Sequence, residues 1–223
     1  MPWTEVAARA AGSLLAVPVG STEQHGPHLP LSTDTDIAVA LCQQLAASRE
    51  DVLVAPAVAY GSSGEHTGFS GTLSVGAAVT ERLLVEIGRS ADAFAGVLFV
   101  STHGGNAAPV RAAVATLAAE SRNVRAWMPG AIGAAGGPGD AHAGRTETSV
   151  LLRLSPGYVR SERAEAGCTT PLPELMGRLR EEGVRAVSAN GVLGDPSGAS
   201  AEEGEEILSA WSGALRAALA GWP

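Results

Sequence analysis

Short apolar runs alternate along the chain with amphipathic stretches, and this alternation limits the possible folds more than any other feature. The runs carry few charges, as do strands that are buried on both faces of a parallel sheet. We predict strands over residues 14–20, 52–60, 97–102 and 124–128. Strands and helices in alternation predict an α/β fold, built as a three-layer α/β/α arrangement with a mainly parallel central sheet.

The stretches between the runs repeat their apolar residues at the spacing of one buried helix face. Three such stripes consist of Ile37, Leu41 and Leu45; of Val79, Leu83 and Ile87; and of Val110, Val114 and Leu117. Two further helices are predicted, one from about residue 146 to just before Pro156 and one over about residues 173–182.

A last helix is predicted from about residue 200 to the end of the sequence. Ser200 and Glu203 have the spacing of a capping box, in which each residue bonds the other's backbone N–H. The buried stripe of this helix is predicted to contain Leu208, Trp211, Leu215 and Leu219.

Length and composition predict one globular domain over residues 1–223. Hydrophobic residues make up 45% of the chain and charged residues 17%. No stretch approaches the roughly 20 apolar residues that a membrane span needs. The first apolar run contains Pro18 and follows Glu5, unlike a signal peptide. We therefore expect a cytoplasmic protein with no membrane partner.

The charged residues exclude two functional classes. The formal charge is −8 and no basic run is present, so a nucleic acid is not an expected partner. All 15 basic residues are Arg, and without Lys there is no Schiff-base chemistry. Cys42 and Cys168 do not form a CxxC motif, so a thiolate zinc site has little support.

The five histidines all lie in loops that follow predicted strands. These loops cover residues 20–35, 60–73, 103–106 and 128–145, and they contain His25, His28, His66, His103 and His142. In open α/β sheets, ligands bind at the carboxyl ends of the strands. The loops are therefore predicted to form one functional site.

Three carboxylates lie in or next to the loops that contain the histidines. Glu23 and His25 are two residues apart, so in an extended segment both point into one pocket. Asp34 lies at the start of the next predicted helix, where its carboxylate could bridge two divalent cations. His103 follows another strand, and Glu147 begins a helix. Such a set of imidazoles and carboxylates suits zinc, manganese or iron(II) better than calcium.

Simpler roles exist for the individual acids. Glu147 could be a helix N-terminal acid that the helix dipole favours. Asp34 or Asp36 could be an N-cap. The combination of residues, and its placement in the loops, favours a metal site.

Several motifs together resemble the creatininase (creatinine amidohydrolase) family. They are GSTEQHGPHLPL at residues 20–31, TDTD at 33–36, HGGN at 103–106, AHAG at 141–144 and ETS at 147–149. They follow the family's order over nearly the whole chain. The resemblance implies a creatininase-like fold, hydrolysis of amide C–N bonds, two divalent metal ions and a homo-oligomer.

The resemblance also implies roles for single residues. Glu23 and His103 would bind one metal, His25 and a glutamate the other, and Asp34 would bridge them. His142 matches the family's catalytic histidine. Creatininase has a glutamate at the third position of its His-x-x-Asn motif, where this chain has Gly105 within Gly104, Gly105 and Asn106. Glu147 is our candidate for the missing ligand, and the difference argues against creatinine as the substrate.

Residues 60–66 and 190–196 most resemble the branch of the family found in mycofactocin biosynthesis. Members of that branch are peptidases that act on a modified precursor peptide. The resemblance implies a short, ribosomally made peptide, decarboxylated and crosslinked, that loses its last two residues, Val-Tyr in origin. Two alternatives are a hydrolase of a small cyclic amide or formamide, and a non-catalytic module that binds metal or peptide.

Four residues have expected supporting roles. His28 would orient a metal ligand. Glu65 and His66 lie in a glycine-rich loop that could close over substrate, or they could only structure that loop. Asp140, two residues before His142, would orient the catalytic histidine.

Trp3, Trp127 and Trp222 are compatible with buried subunit interfaces.

Overall fold

A computed structural model of the chain describes residues 1–130 and 139–222, so part of the predicted 128–145 loop lies outside the described residues. The strands are β1 (Leu14–Val19), β2 (Val52–Val54), β3 (Gly96–Ser101) and β4 (Val124–Trp127). The helices are α1 (Trp3–Arg9), α2 (Thr33–Ser48), α3 (Ala77–Ser90), α4 (Ala107–Ala119), α5 (Arg145–Leu154), α6 (Leu172–Glu182), α7 (Val184–Val187) and α8 (Ala201–Ala218).

The four strands form one sheet in the order β2-β1-β3-β4, and every pairing is parallel. Side chains alternate between the two faces along each strand. Leu98 and Val100 of β3 join a core with α2, α5 and α8. Val97 and Phe99 join a second core with α3 and α4. The predicted α/β fold, with a parallel sheet between helices, is confirmed.

A third and smaller core lies apart from the sheet. Its buried members come from α6, α7 and the segment after them: Leu175, Leu179, Val184 and Leu193. Phe69 and Cys168 pack against its edge. This cluster, called the α6 core below, supports one wall of the functional site.

The strand predicted over residues 52–60 is shorter than expected. Hydrogen-bonded pairing with β1 ends at Val54, and only one isolated bridge, between Val19 and Val58, continues it. Pro56 lies between these two points and has no N–H to donate to a ladder. The apolar composition of the run did not show this interruption.

The apolar stripe predicted for α3 is wrong for two of its three residues, and only Ile87 packs against the second core. Val79 and Leu83 are 55% and 40% exposed, whereas the buried face of α3 carries Thr80, Leu84, Val85 and Gly88. A Cβ on Gly88 would lie 2.3 Å from Leu117 Cδ1. α3 thus approaches α4 closely at a residue without a side chain, which a search for apolar residues overlooks.

The other predicted stripes hold, and the capping box forms only in part. Ile37, Leu41 and Leu45 are buried, as is the α8 stripe Leu208, Trp211, Leu215 and Leu219. Glu203 N donates to Ser200 Oγ at 3.2 Å, as predicted. The Glu203 carboxylate instead accepts from Arg145 Nε and Ser149 Oγ, both at 2.8 Å, and so joins α8 to α5.

The three tryptophans have different surroundings. Trp222 is buried in the core between the sheet and α8, so the expected interface role is wrong for it. Trp127 packs partly against the same core, and Trp3 is 80% exposed. None of the helices over residues 1–130 and 139–222 has the length and apolar character to cross a membrane.

Candidate metal centre

The predicted ligands meet at the carboxyl end of the sheet. Glu23 and His25 follow β1, and His103 follows β3, its neighbour in the sheet. Asp34 and Glu147 lie in the first turns of α2 and α5, two helices that pack on the same side of the sheet. Parallel strands end at one edge, which is why residues distant in sequence converge there.

Asp34 lies between two imidazoles. Its Oδ1 is 3.6 Å from His25 Nε2, and its Oδ2 is 3.6 Å from His103 Nδ1. Ser21 Oγ donates to Oδ2 at 2.6 Å and holds the carboxylate in this orientation. The helix is capped at Ser32 rather than at Asp34 or Asp36, so the N-cap alternative is wrong for both aspartates.

Three groups of potential ligand atoms lie here, and the third, Glu23, His66 and His142, overlaps the other two. In the first, Glu23, Asp34 and His103 have ligand atoms within 4.8 Å of one another, and His103 Nδ1 lies 3.1 Å from Glu23 Oε1. In the second, His25 and Glu147 are joined by His142, and His25 Nε2 lies 3.8 Å from Glu147 Oε2. The structure therefore brings together all five residues predicted as metal ligands.

Glu147 also has the local role proposed as its alternative. Its Oε2 accepts a hydrogen bond from Ala143 N at 2.6 Å, just before the start of α5. Ala143 has a φ of 52°, a left-handed conformation that is unfavourable for a residue with a Cβ. This strained turn aims the N–H of Ala143 at Glu147 and fixes the carboxylate beside His25.

His142 belongs to two of the three groups and is buried where they meet. Its Nδ1 is 3.8 Å from Glu23 Oε1, and its Nε2 is 2.9 Å from the backbone oxygen of Gln24. The expectation that Asp140 orients His142 is wrong. The Asp140 carboxylate instead accepts from the backbone N–H groups of Arg145 and Thr146 at the start of α5.

Glu65 and His66 belong to the site instead of forming an open lid. They lie in a short 3-10 turn, Gly64–His66, and His66 is buried with its Nε2 3.6 Å from Glu23 Oε1. Glu65 Oε1 is 3.7 Å from His103 Nε2. A Cβ on Gly105 would meet Ser62 O at 2.2 Å and Glu65 Oε1 at 2.5 Å. This chain therefore has no room for a glutamate at position 105.

Three further residues support the ligands. His28 Nε2 contacts Thr148 Oγ1 at 2.9 Å, next to Glu147 in sequence. Asn106 Nδ2 donates to Gly20 O, and its Oδ1 accepts from Ser62 N, both at 2.9 Å. Asn106 thereby joins the end of β1 to the loop that carries Glu65 and His66. Gly104 opens the turn between His103 and Asn106.

Gln24 is the site residue that sequence reasoning missed. Its side-chain amide lies within hydrogen-bond distance of His66, His142 and the backbone of Gly191. The only sequence signal was its position between Glu23 and His25. Alternation along an extended segment predicts that it points away from the site, but the chain turns at Gly26, which has a φ of 64°.

The charges in the site shift the titration of its members. Burial disfavours the imidazolium of His25, but Asp34 and Glu147 outweigh it and raise the pKa to about 10. Burial is likewise outweighed at His103, where Glu23 raises the pKa to about 10. Burial raises the pKa of Glu147 to about 7. At His142 burial prevails and lowers the pKa well below its ordinary value.

Several buried polar atoms at the centre of the site have no hydrogen-bond partner among residues 1–130 and 139–222. They are both carboxylate oxygens of Glu23, His25 Nε2 and His28 Nδ1. Leaving such groups unpaired is unfavourable by about 1–3 kcal/mol each, more for a charge. A cation would satisfy the Glu23 oxygens and His25 Nε2. Oxygen and imidazole nitrogen are the donors that zinc, manganese and iron(II) accept.

A cavity of about 660 Å³ opens onto these residues. Glu23, His66, His103 and His142 form one side of it. The α6 core and its neighbours contribute apolar lining from Leu172, Met176, Leu179, Val184 and Leu193. Arg111 and Arg180 are also among the lining residues.

The chain is similar to known proteins over most of its length. The family model for creatininase, described as creatinine amidohydrolase, matches residues 1–219. A mycofactocin precursor peptide peptidase from Mycolicibacterium smegmatis is 53% identical over 202 residues, covering 88% of this chain and 80% of that protein.

Solved structures show the same likeness. A creatininase variant described as the Zn-Zn type is 25% identical, with a TM-score of 0.81 over 98% of this chain and 95% of the other. A structure described as creatininase Mn has the same identity, TM-score and coverage. The fold, the site and the sequence together are those of a metal-dependent amidohydrolase. The chain belongs to the creatininase family.

Proposed function

We propose that this protein is a metal-dependent peptidase that cleaves the mycofactocin precursor peptide and releases the C-terminal dipeptide derived from Val-Tyr. The observation that carries the proposal is the buried group of Glu23, Asp34 and His103 beside His25 and Glu147, next to the cavity. The peptide substrate is supported by the 53% identity with a peptidase of that name.

We propose that two divalent ions bind here, with Asp34 between them. Glu23 and His103 would hold one ion, and His25 and Glu147 the other. The separate groups Glu23–Asp34–His103 and His25–His142–Glu147 support this division. Zinc, iron(II) and manganese all suit the ligand set, and solved creatininases are described with zinc and with manganese.

When bound, the ions would supply Lewis acidity that polarises the amide carbonyl and lowers the pKa of water. The chain's own contribution starts with His142, whose burial keeps it neutral and able to accept a proton. His142 removes a proton from the attacking water, whose oxygen bonds to the carbonyl carbon. The C–N bond then breaks, and His142 passes that proton to the leaving nitrogen.

The size of the cavity favours a peptide over a small ring. Its volume of about 660 Å³ lies within the range of roughly 300–1,000 Å³ that drug-sized ligands occupy. The wall formed by Leu172, Met176 and Leu179 is apolar, which suits the side chains of a Val-Tyr pair. A small cyclic amide, the second candidate, would leave most of this wall without contact.

Mass spectrometry of a precursor-like peptide tests the function. The protein would be stripped of metal, then reloaded with zinc, iron(II) or manganese before incubation. We expect release of the C-terminal dipeptide only after reloading. Hydrolysis of a small cyclic amide or formamide, with the peptide left intact, would retain the metal site and reject the peptide substrate. No turnover of either would favour a binding module.

A pair of aspartate variants makes the test specific to the site. Asp34→Asn removes the charge between the two imidazoles and is expected to abolish cleavage. Asp36→Asn makes the same chemical change two residues away, where the carboxylate only accepts from Ser32 Oγ, and is expected to keep activity within a few-fold. Equal activity of both variants would reject Asp34 as a ligand.

A homo-oligomer remains a prediction. The face of α3 that carries Val79 and Leu83 is exposed in the single chain, and together with the exposed Trp3 it offers apolar surface to a second copy. Sedimentation equilibrium would give the subunit number. A monomer at micromolar concentration would contradict the prediction.

A further inference from the structure

Three of the four histidines around Glu23 hold one nitrogen against a backbone carbonyl. His25 Nδ1 lies 3.2 Å from Glu23 O, His103 Nε2 lies 2.9 Å from Ser62 O, and His142 Nε2 lies 2.9 Å from Gln24 O. A carbonyl oxygen only accepts, so each of these nitrogens carries a hydrogen. In the neutral imidazole, the other nitrogen then presents its lone pair to the site, as a metal ligand or base requires.

His66 has the opposite arrangement because its outer neighbour is Gln24. The orientation of that amide is set by two backbone groups: Gly26 N donates to Oε1 at 2.9 Å, and Nε2 donates to Gly191 O at 3.1 Å. Reversing the amide would place an N–H against an N–H and two oxygens against each other. The amide nitrogen is therefore the atom that lies 2.9 Å from His66 Nδ1.

The two hydrogens on Gln24 Nε2 have only one consistent assignment of acceptors. One goes to Gly191 O, which only accepts. His142 Nε2 is also near, at 3.0 Å, but it already carries a hydrogen for Gln24 O. The second amide hydrogen therefore goes to His66 Nδ1, which must accept it. Neutral His66 then carries its hydrogen on Nε2, and an imidazolium is excluded because Nδ1 would face the amide with a hydrogen of its own.

The protonated Nε2 of His66 points into the site. It lies 3.6 Å from Glu23 Oε1, and His66 lines the cavity together with His103 and His142. A nitrogen that carries a hydrogen cannot bind a cation. It can donate to an oxygen that gains negative charge as an amide carbonyl is attacked.

We propose that His66 is a catalytic hydrogen-bond donor to the carbonyl oxygen of the bond being cleaved, and that Gln24 is the positioning residue that sets His66 in the Nε2–H form. The inference rests on the proposed hydrolase function. It goes beyond that function because it separates His66 from the three histidines that offer lone pairs, although all four lie around the same carboxylate.

Nitrogen NMR of the full chain tests the tautomers independently of activity. Histidine labelled with ¹⁵N in the metal-free and zinc-loaded protein is expected to show His66 protonated at Nε2 and unprotonated at Nδ1. His142 is expected to show protonated Nε2 in the same spectra. A His66 Nε2 that is unprotonated, or that loses its hydrogen when zinc binds, would overturn the proposal.

Gln24→Glu tests the role of the amide. A carboxylate has no N–H, so Nδ1 of His66 would have to donate, and the tautomer is expected to reverse. Peptide kcat should then fall by about 100- to 1,000-fold, the loss typical of one oxyanion donor, with KM changed little. Gln43→Glu makes the same change on the exposed side of α2 and is expected to leave both readouts unchanged.

Variants of His66 cover the case in which Gln24→Glu does not fold. His66→Asn retains an N–H donor, so it is expected to keep more activity than His66→Ala at equal zinc content. Equal activities would overturn the donor role, and a loss of zinc in both would make His66 a ligand. If the wild-type tautomers are as expected and no amide is cleaved, the proposed function fails while the assignment of Gln24 and His66 stands.

Discussion

At the scale of single residues, the site is set by which atom of each side chain faces inward. His142 shows this best, because it lies close enough to both ligand groups to serve as a base or as a ligand. Its Nε2 is held by Gln24 O, which leaves Nδ1 free to face Glu23. Separate measurements of metal content and turnover distinguish the two roles.

His142→Ala is expected to keep two metal ions per chain and to lose about 100- to 10,000-fold in kcat, the range for one general acid–base group. Metal content by plasma mass spectrometry and turnover of the peptide would be measured on the same sample. A fall to one ion per chain would make His142 a ligand of the second ion and remove its role as the base.

Metal binding should release protons. His25 and His103 have pKa values raised to about 10 and Glu147 to about 7, so at neutral pH the imidazoles of the metal-free site are protonated. A cation needs the unprotonated forms, so metal affinity is expected to rise with pH between about 7 and 10. Calorimetry in buffers of different ionisation enthalpy counts the protons.

His28 provides the control for this measurement. Burial lowers its pKa, so it is already neutral and has no proton to release. His28→Asn should leave the proton count unchanged, whereas His25→Asn should reduce it. An affinity that does not change with pH would contradict protonated imidazoles in the metal-free site.

At the scale of elements, the packing of α5 against α8 positions Glu147. A Cβ on Gly204 of α8 would lie 2.0 Å from the backbone oxygen of Ser149 in α5. On the same helix, Gly213 has nothing closer than 4.0 Å. Alanine substitutions at the two glycines therefore distinguish the effect of helix propensity from the effect of close helix packing.

Gly204→Ala is expected to lower the free energy of unfolding by about 1–3 kcal/mol, as overpacking does, and to weaken metal binding because α5 carries Glu147. Gly213→Ala is expected to raise that free energy by up to about 1 kcal/mol through helix propensity. Urea titration of both variants provides the comparison. A Gly204→Ala protein as stable as the wild type would show that α5 and α8 can separate without loss.

The elements also show what the sequence could predict. Strand and helix order followed from apolar patterning, because burial selects apolar residues wherever side chains make the contact. Patterning failed for α3, where Gly88 makes the contact with Leu117. It also failed for Asp140 and Gln24, because the turns that direct these side chains depend on backbone geometry set by distant segments. The five candidate ligands could be predicted because acids and histidines that cluster in the loops after parallel strands are typical of a metal site.

At the scale of the whole molecule, the candidate ligands join distant parts of the chain. Glu23 and Glu147 are brought together only when the sheet and α5 have formed, so the unfolded chain has no comparable site. A ligand that binds only the folded state stabilises it, by about 4 kcal/mol at a thousandfold excess over Kd. Metal binding is therefore expected to be coupled to folding of the domain.

Removal of metal should lower Tm on the order of 10 °C, from this stabilisation and the roughly 2–4 °C per kcal/mol of a domain of this size. Differential scanning calorimetry with and without a chelator measures the shift. The Asp34→Asn variant is expected to show little or no shift on chelation. A wild-type Tm that is insensitive to chelation would contradict coupling between the site and the fold.

The α6 core has an evolutionary consequence. Leu175, Leu179, Val184 and Leu193 pack mainly on one another and not into the two cores of the sheet, while their neighbours Leu172 and Met176 face the cavity. Mutations at Leu172 and Met176 can therefore accumulate without disturbing the loops that carry the reactive groups, whereas Leu193 is constrained because its backbone pairs with that of His142. A lineage with this fold could acquire new substrates by drift at this wall while the residues around the metal centre stayed under purifying selection.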